Sequence, residues 1–214
     1  MILKIFKKKI QRENRNFVTR LYTMGIMVLV MLALFEARAS EEDMTIQQKL
    51  ISDFSMPEEI DQWRVINDGV MGGLSQSQIN KTQDNTAVFQ GTVSLENYGG
   101  FASVRTLPRM YNLTGYSGLI IRVKGDGKRY QFRIRTDAQF DGIGYRSHFT
   151  TKADTWITVR VPFSGFVPTF RGRVLSDAPP LASDQIRQLG FLIADKQEGS
   201  FRLEIDWIKA YKTE

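Results

Sequence analysis

From Tyr130 to Arg135 every second side chain is apolar: Tyr130, Phe132 and Ile134 alternate with Gln131, Arg133 and Arg135. Successive side chains of an extended chain point to opposite faces, so such a run buries one face and wets the other. The pattern recurs. Phe201, Leu203, Ile205 and Trp207 alternate with Arg202, Glu204, Asp206 and Ile208. Ala87, Phe89, Gly91, Val93 and Leu95 share one side, as do Ile157, Val159 and Val161. Leu50, Ile51 and Phe54 read as a first strand, and Gly118–Lys124, Tyr145–Thr150 and Leu189–Ala194 as others. Gly125-Asp126-Gly127 reads as a hairpin turn. Short helical turns fit Pro57–Asp61 and Ser183–Gln188. Roughly eight half-buried antiparallel strands stack into an all-β, two-sheet jelly-roll sandwich.

The first 39 residues read differently. Basic residues crowd Lys4 to Arg20, an apolar stretch runs from Leu21 to Phe35, and Ala37-Arg38-Ala39 follows. This is the layout of a secretory signal cleaved after Ala39. It predicts export to a periplasm or cell envelope. An uncleaved membrane anchor at residues 21–35 is the alternative, and in either case the leader contacts a membrane. Residues 40–49 read as a linker and residues 50–212 as the folded domain. The whole net charge of +6 lies in the leader, since basic and acidic residues balance beyond it. A domain without excess positive charge is a poor binder of nucleic acid.

Chemistry is sparse. There is no cysteine, which excludes disulfides and thiolate chemistry, and the one histidine, His148, excludes paired-histidine metal motifs. No nucleophile elbow, phosphate loop or dinucleotide fingerprint occurs. The expectation is a noncatalytic domain without a cofactor.

Two glycine-studded blocks stand out, Trp63–Ser75 with Asn67-Asp68-Gly69-Val70-Met71-Gly72-Gly73, and Ser94–Arg105 with Glu96-Asn97 and Gly99-Gly100. Each reads as a tight loop feeding a strand, because glycine enters positive φ without a Cβ clash. Together with Phe89-Gln90-Gly91, Gly125-Asp126-Gly127, Trp156, Val161-Pro162-Phe163 and Phe170-Arg171-Gly172, this ordered set resembles the complex I intermediate-associated protein 30 family. The resemblance spans roughly Leu50 to Ala210. It implies a sandwich similar to galactose-binding-like domains. It also implies a role as an assembly factor or chaperone, whose partner is a subunit or intermediate of a membrane complex. A carbohydrate-binding module of the cell envelope, with a glycan ligand, is the alternative. The leader departs from a matrix-side role.

Several residues are candidates for partner or ligand binding. Asn67 and Asp68 form a polar rim, or an Asx turn bonded to its own backbone. Met71 is a core plug or an exposed contact. Glu96, Asn97 and Arg105 form a binding loop in which Arg105 clamps a carboxylate, or Glu96 and Arg105 form an internal ion pair. Arg133 and Arg135 share a strand face with Gln131, which Arg146 and His148 extend if Tyr145–Thr150 pairs alongside. That face either holds a ligand or is simply solvated. Related sandwich modules carry a calcium ion near the terminal strands, which points to Asp53 and Asp206, although calcium needs six to eight oxygen ligands and no full set is evident.

Overall fold

The computed structural model describes residues 47–213 and, before them, Met27 alone. The leader and most of the linker therefore lie outside the described residues. Among the described residues thirteen strands form two antiparallel sheets. One sheet holds β1 (Gln47–Ser52), β3 (Gln76–Lys81), β4 (Ala87–Val93), β6 (Gly118–Gly125), β9 (Trp156–Pro162) and β13 (Gly199–Lys212). The other runs in the order β11 (Arg173–Val174), β10 (Val167–Phe170), β8 (Gly144–Thr150), β7 (Arg129–Arg135), β12 (Gln188–Ile193), β5 (Ala102–Thr106) and β2 (Trp63–Val65). This is the two-layer jelly-roll sandwich the alternation predicts.

The core lies between the layers. From β7, Tyr130, Phe132 and Ile134 are all fully buried, as the period-two pattern requires. The facing sheet contributes Phe89, Ile121, Leu203 and Ile205. Phe191 sits at the centre of an aromatic cluster, stacked on Trp63 at 5.9 Å and tilted against Phe132 at 5.0 Å between ring centroids.

Four local readings change. Gly125-Asp126-Gly127 is not a hairpin, because β6 and β7 belong to different sheets. It carries the chain across the sandwich and is fixed by Asp126, which accepts from the Tyr130 hydroxyl at 3.0 Å and the Arg202 amide at 3.0 Å. The alternation of β13 slips between Ile205 and Trp207, where the pairing with β6 shifts register. A bulge inserts one residue and reverses the faces beyond it, so Ile208 is fully buried while Trp207 is half-buried. The expected linker ends earlier than residue 49, since Gln47 to Lys49 already pair with Lys212 to Ala210 of β13. Phe54 is buried but lies beyond β1 with φ of 55°.

Candidate functional site

The glycine blocks meet at one carboxylate. Asp68 is fully buried. It accepts from the Ser75 amide (2.9 Å), the Ser75 hydroxyl (2.6 Å), the Gly100 amide (2.7 Å) and the Phe101 amide (3.2 Å). Burial alone would raise its pKa, but the Ser75 hydroxyl and the amides of Gly100, Phe101 and Ser75 outweigh it and hold the carboxyl below its ordinary value. Two glycines exist to admit this group. A Cβ on Gly73 would lie 2.5 Å from Asp68 Oδ1, and one on Gly99 2.6 Å from Asp68 Oδ2. Positive φ explains only their neighbours, Gly72 at 91° and Gly100 at 129°. Asp68 is thus neither a polar rim nor an Asx turn; it is an internal tie between two loops. Asn67 does similar work, accepting from the Ser77 hydroxyl at 2.7 Å.

What the tie presents is the short turn Asp68–Met71, with Val70 and Met71 about three-fifths exposed. Met71 is therefore exposed and not a core plug. Both residues line a cleft of about 570 Å³ on the outward face of the β8-β7-β12-β5 sheet. That volume lies within the ~300–1,000 Å³ range of ligand clefts.

The cleft floor follows from strand register. Arg105 on β5 pairs with Gly190 on β12, Gly190 with Arg133 on β7, and Arg133 with Arg146 on β8. Across these four strands the row therefore carries three arginines, broken only by a glycine that offers no side chain, and beyond the cleft it continues to Arg64 on β2. The next row sets Ser103, Leu192, Gln131 and His148 abreast. Arg133 reaches over Gly144 to donate to Thr169 Oγ1 at 3.2 Å, and donates to Gln131 Oε1 at 3.0 Å. Burial first, then the fields of Arg146, Arg135 and Arg105, push its guanidinium down to about 10. Arg105 is likewise lowered, by burial and then by Arg135.

A wall closes one side. Both terminal nitrogens of Arg105 donate to the Phe140 carbonyl at 3.1 Å, and its guanidinium lies 4.8 Å from the Phe140 ring centroid. Arg171 pairs with Asp141 at 2.5 Å, and Arg135 lies 3.7 Å from Asp137. His148 stands beside Asp195 at 3.6 Å, and burial and Arg129 hold its pKa below the ordinary value despite that carboxylate.

The structure thus gathers Met71, Arg105, Arg133 and Arg135 at one cleft, with His148 in the adjoining row. Glu96 and Asn97 do not join them: both are exposed on the turn Glu96–Tyr98, and Glu96 makes no ion pair with Arg105 among the described residues. The reason is positional, since Arg105 points across the sheet to Phe140 and not back along its own loop. Asp53 accepts from the Ser55 amide at 3.0 Å, and Asp206 is bound by Arg122. Among the described residues no group of three or more carboxylate or imidazole donors could hold a metal ion. The sequence reading missed Phe140 and Asp141, and it noted Arg171 only within Phe170-Arg171-Gly172, not as part of a cleft. For Phe140 and Asp141 the available signal was a lone aromatic ring in the otherwise small or polar run Asp137–Gly142.

The sandwich resembles the Family 11 carbohydrate-binding module from Clostridium thermocellum, with a TM-score of 0.59 and 16% identity, covering 78% of this chain and 96% of that one. It also resembles part of the agarase AgWH50C, with a TM-score of 0.53 and 11% identity, covering 76% of this chain and 24% of that one. At these identities the likeness shows a shared fold, a two-sheet jelly roll, and nothing more. In sequence the chain is similar to the mitochondrial complex I intermediate-associated protein 30 of Mus musculus, 30% identical over 82% of this chain and 60% of that protein. The Drosophila melanogaster protein of the same name is 27% identical over 74% of this chain and 61% of its own length. This chain thus spans about three-fifths of those relatives. Residues 52–205 match the family model for complex I intermediate-associated protein 30, and that span contains both glycine blocks and the arginine row; the chain belongs to the complex I intermediate-associated protein 30 family.

Proposed function

We propose that this chain is a noncatalytic binding domain that acts as an assembly factor for a membrane-associated complex of respiratory type. It holds a partly assembled subunit against the arginine-floored cleft and its Val70–Met71 rim. The observation that carries this reading is the family membership joined to the form of the site. The cleft has charged and apolar contact groups, and His148, the one histidine of the sequence, stands outside its lining next to Asp195. With residues 1–39 as export signal or anchor, the domain works at the outer side of a membrane. N-terminal sequencing of the mature protein checks that part, and a mature chain beginning at Ser40 is the expected result.

The central test is photo-crosslinking in the native cell from a crosslinkable residue at position 71, which is exposed on the rim. A covalent adduct with a subunit of a membrane complex is expected. Adducts absent, or spread evenly over unrelated proteins, would overturn the reading. The glycan alternative draws on the sheet-face cleft itself, and saturable glycan binding with a change in aromatic fluorescence would favour it.

A further inference from the structure

Three guanidinium groups of one row lack an acid. Among the described residues no carboxylate lies within 4.0 Å of Arg105, Arg133 or Arg146. Arg133 and Arg146 are direct cross-strand neighbours, an arrangement that like charges disfavour. Beside them, Nε and one terminal nitrogen of Arg135 are buried with no hydrogen-bond acceptor. Buried donors without partners are uncommon and costly. The floor therefore offers several forked donors, of which only Arg135 has a carboxylate within 4.0 Å, Asp137 at 3.7 Å and beyond hydrogen-bond reach. The other acids nearby are engaged away from the row, Asp141 with Arg171 and Asp195 with Arg129 and His148.

The rim is of the opposite character. Val70, Met71 and Phe140 are 60%, 62% and 63% exposed, and all three line the same cleft. A neutral sugar would hydrogen-bond to the guanidinium groups but leave their charge uncompensated. A compact phosphate would meet the charge but leave the apolar rim in water. Carboxylates match the planar fork of arginine with two parallel hydrogen bonds, and apolar neighbours on the same segment would cover the rim.

We propose that the cleft receives an acidic segment of a partner protein. Its carboxylates are taken by Arg105, Arg133 and Arg146, and its flanking apolar side chains rest on Val70, Met71 and Phe140. This rests on the reading of the domain as a holder of protein subunits, and it names the chemistry of the segment held.

The test uses the full chain and fluorescein-labelled synthetic peptides that alternate Asp or Glu with Leu or Val, followed by fluorescence anisotropy. Saturable binding is expected. Arg133→Met and Arg146→Met should each weaken it about tenfold or more, the scale of one charge-assisted hydrogen bond. Thermal unfolding of both variants verifies that they fold, and two sites guard against loss of one. Met71→Ser should weaken binding several-fold, and Asn/Gln versions of the peptides should not bind. Equal binding of acid and amide peptides, or no effect of either arginine substitution, would overturn the proposal. So would absence of peptide binding. Displacement by inorganic phosphate with indifference to Met71→Ser would assign the site to a compact oxyanion instead. Tighter binding of oligogalacturonate would assign it to an acidic glycan. Crosslinking at position 71 separates the two levels. If Arg133→Met captures the same subunit as the parent chain, this inference falls and the assembly reading stands; if neither captures one, the assembly reading itself falls.

Discussion

Replacing Asp68 tests the claim that one buried carboxylate ties the two glycine blocks together. Asp68→Ala leaves the amides of Ser75, Gly100 and Phe101 without their acceptor. Each orphaned buried donor costs on the order of 1–2 kcal/mol, so the substitution should destabilise the domain by about 3–5 kcal/mol. Asp68→Asn keeps the shape but turns an amide nitrogen toward groups that also donate, and should cost about 2–3 kcal/mol. Against a typical total of ~5–15 kcal/mol, either loss is large. Urea unfolding reports it through Trp63, which is buried in the core. The folded pKa of Asp68 is depressed, so its contribution is fully present above the ordinary carboxylate value of 3.8 and fades as pH falls through the lower folded value. The stability gap between parent and Asp68→Asn should therefore hold constant from pH 7 to pH 5 and narrow only in stronger acid. An Asp68→Asn chain within about 0.5 kcal/mol of the parent, the ordinary scatter of surface substitutions, would refute the tie.

The glycine assignments make a companion set. Gly73→Ala and Gly99→Ala should each destabilise by about 1–3 kcal/mol through collision with Asp68, while Gly69→Ala, with nothing within 4 Å of its added Cβ, should be nearly neutral in the same urea titration. Phe191→Ala removes the ring at the centre of the aromatic cluster and should cost about 3–5 kcal/mol. His148 should titrate below 6.5 in a proton NMR experiment on the folded chain, where the one imidazole is easily followed; a value at or above 6.5 would contradict the burial and the field of Arg129. Because its folded pKa is lowered, the unfolded chain takes up that proton first. Stability should therefore fall as pH drops below about 6.5, and His148→Asn should flatten that slope.

Much of the sandwich was legible because its strands obey period two where both faces have definite environments. Tyr130–Arg135 shows this directly: three inward rings and chains, three outward polar groups. The pattern failed where backbone geometry departs from the regular strand. Nothing in Phe201–Ile208 marks the bulge after Ile205, because Asp206 and Trp207 could each face either way by composition alone. Gly125-Asp126-Gly127 has the residues of a hairpin, but which sheet the next strand joins is decided by the core, not by the turn. At the site, the polar face of β7 and its extension to Arg146 and His148 follow from alternation plus one assumed pairing. Arg105 joins it only because β12 lies between β5 and β7, and strand order has no local signature. The acids of the glycine blocks were misplaced for a related reason. Burial of Asp68 depends on a loop more than thirty residues away, Gly100–Phe101, whose amides reach it through the fold.

The same carboxylate connects stability to the cleft. Asp68 opens the turn that carries Val70 and Met71, and besides its bonds from Ser75 it accepts from Gly100 and Phe101, just before β5 brings Arg105 to the floor. Rim and floor are thereby held in one frame by a group that itself touches no ligand. A substitution there should loosen the rim even in molecules that remain folded. Asp68→Asn should therefore weaken acidic-peptide binding in conditions where the chain is still native, and the loss should resemble that of Met71→Ser more than that of Arg133→Met. In particular its dependence on salt should match the parent's, because the row Arg105, Arg133 and Arg146 still supplies the charge that salt screens. Arg133→Met should instead reduce the salt dependence along with the affinity. If Asp68→Asn flattened the salt dependence as strongly as Arg133→Met does, the carboxylate would be acting on the arginines themselves and not on the rim.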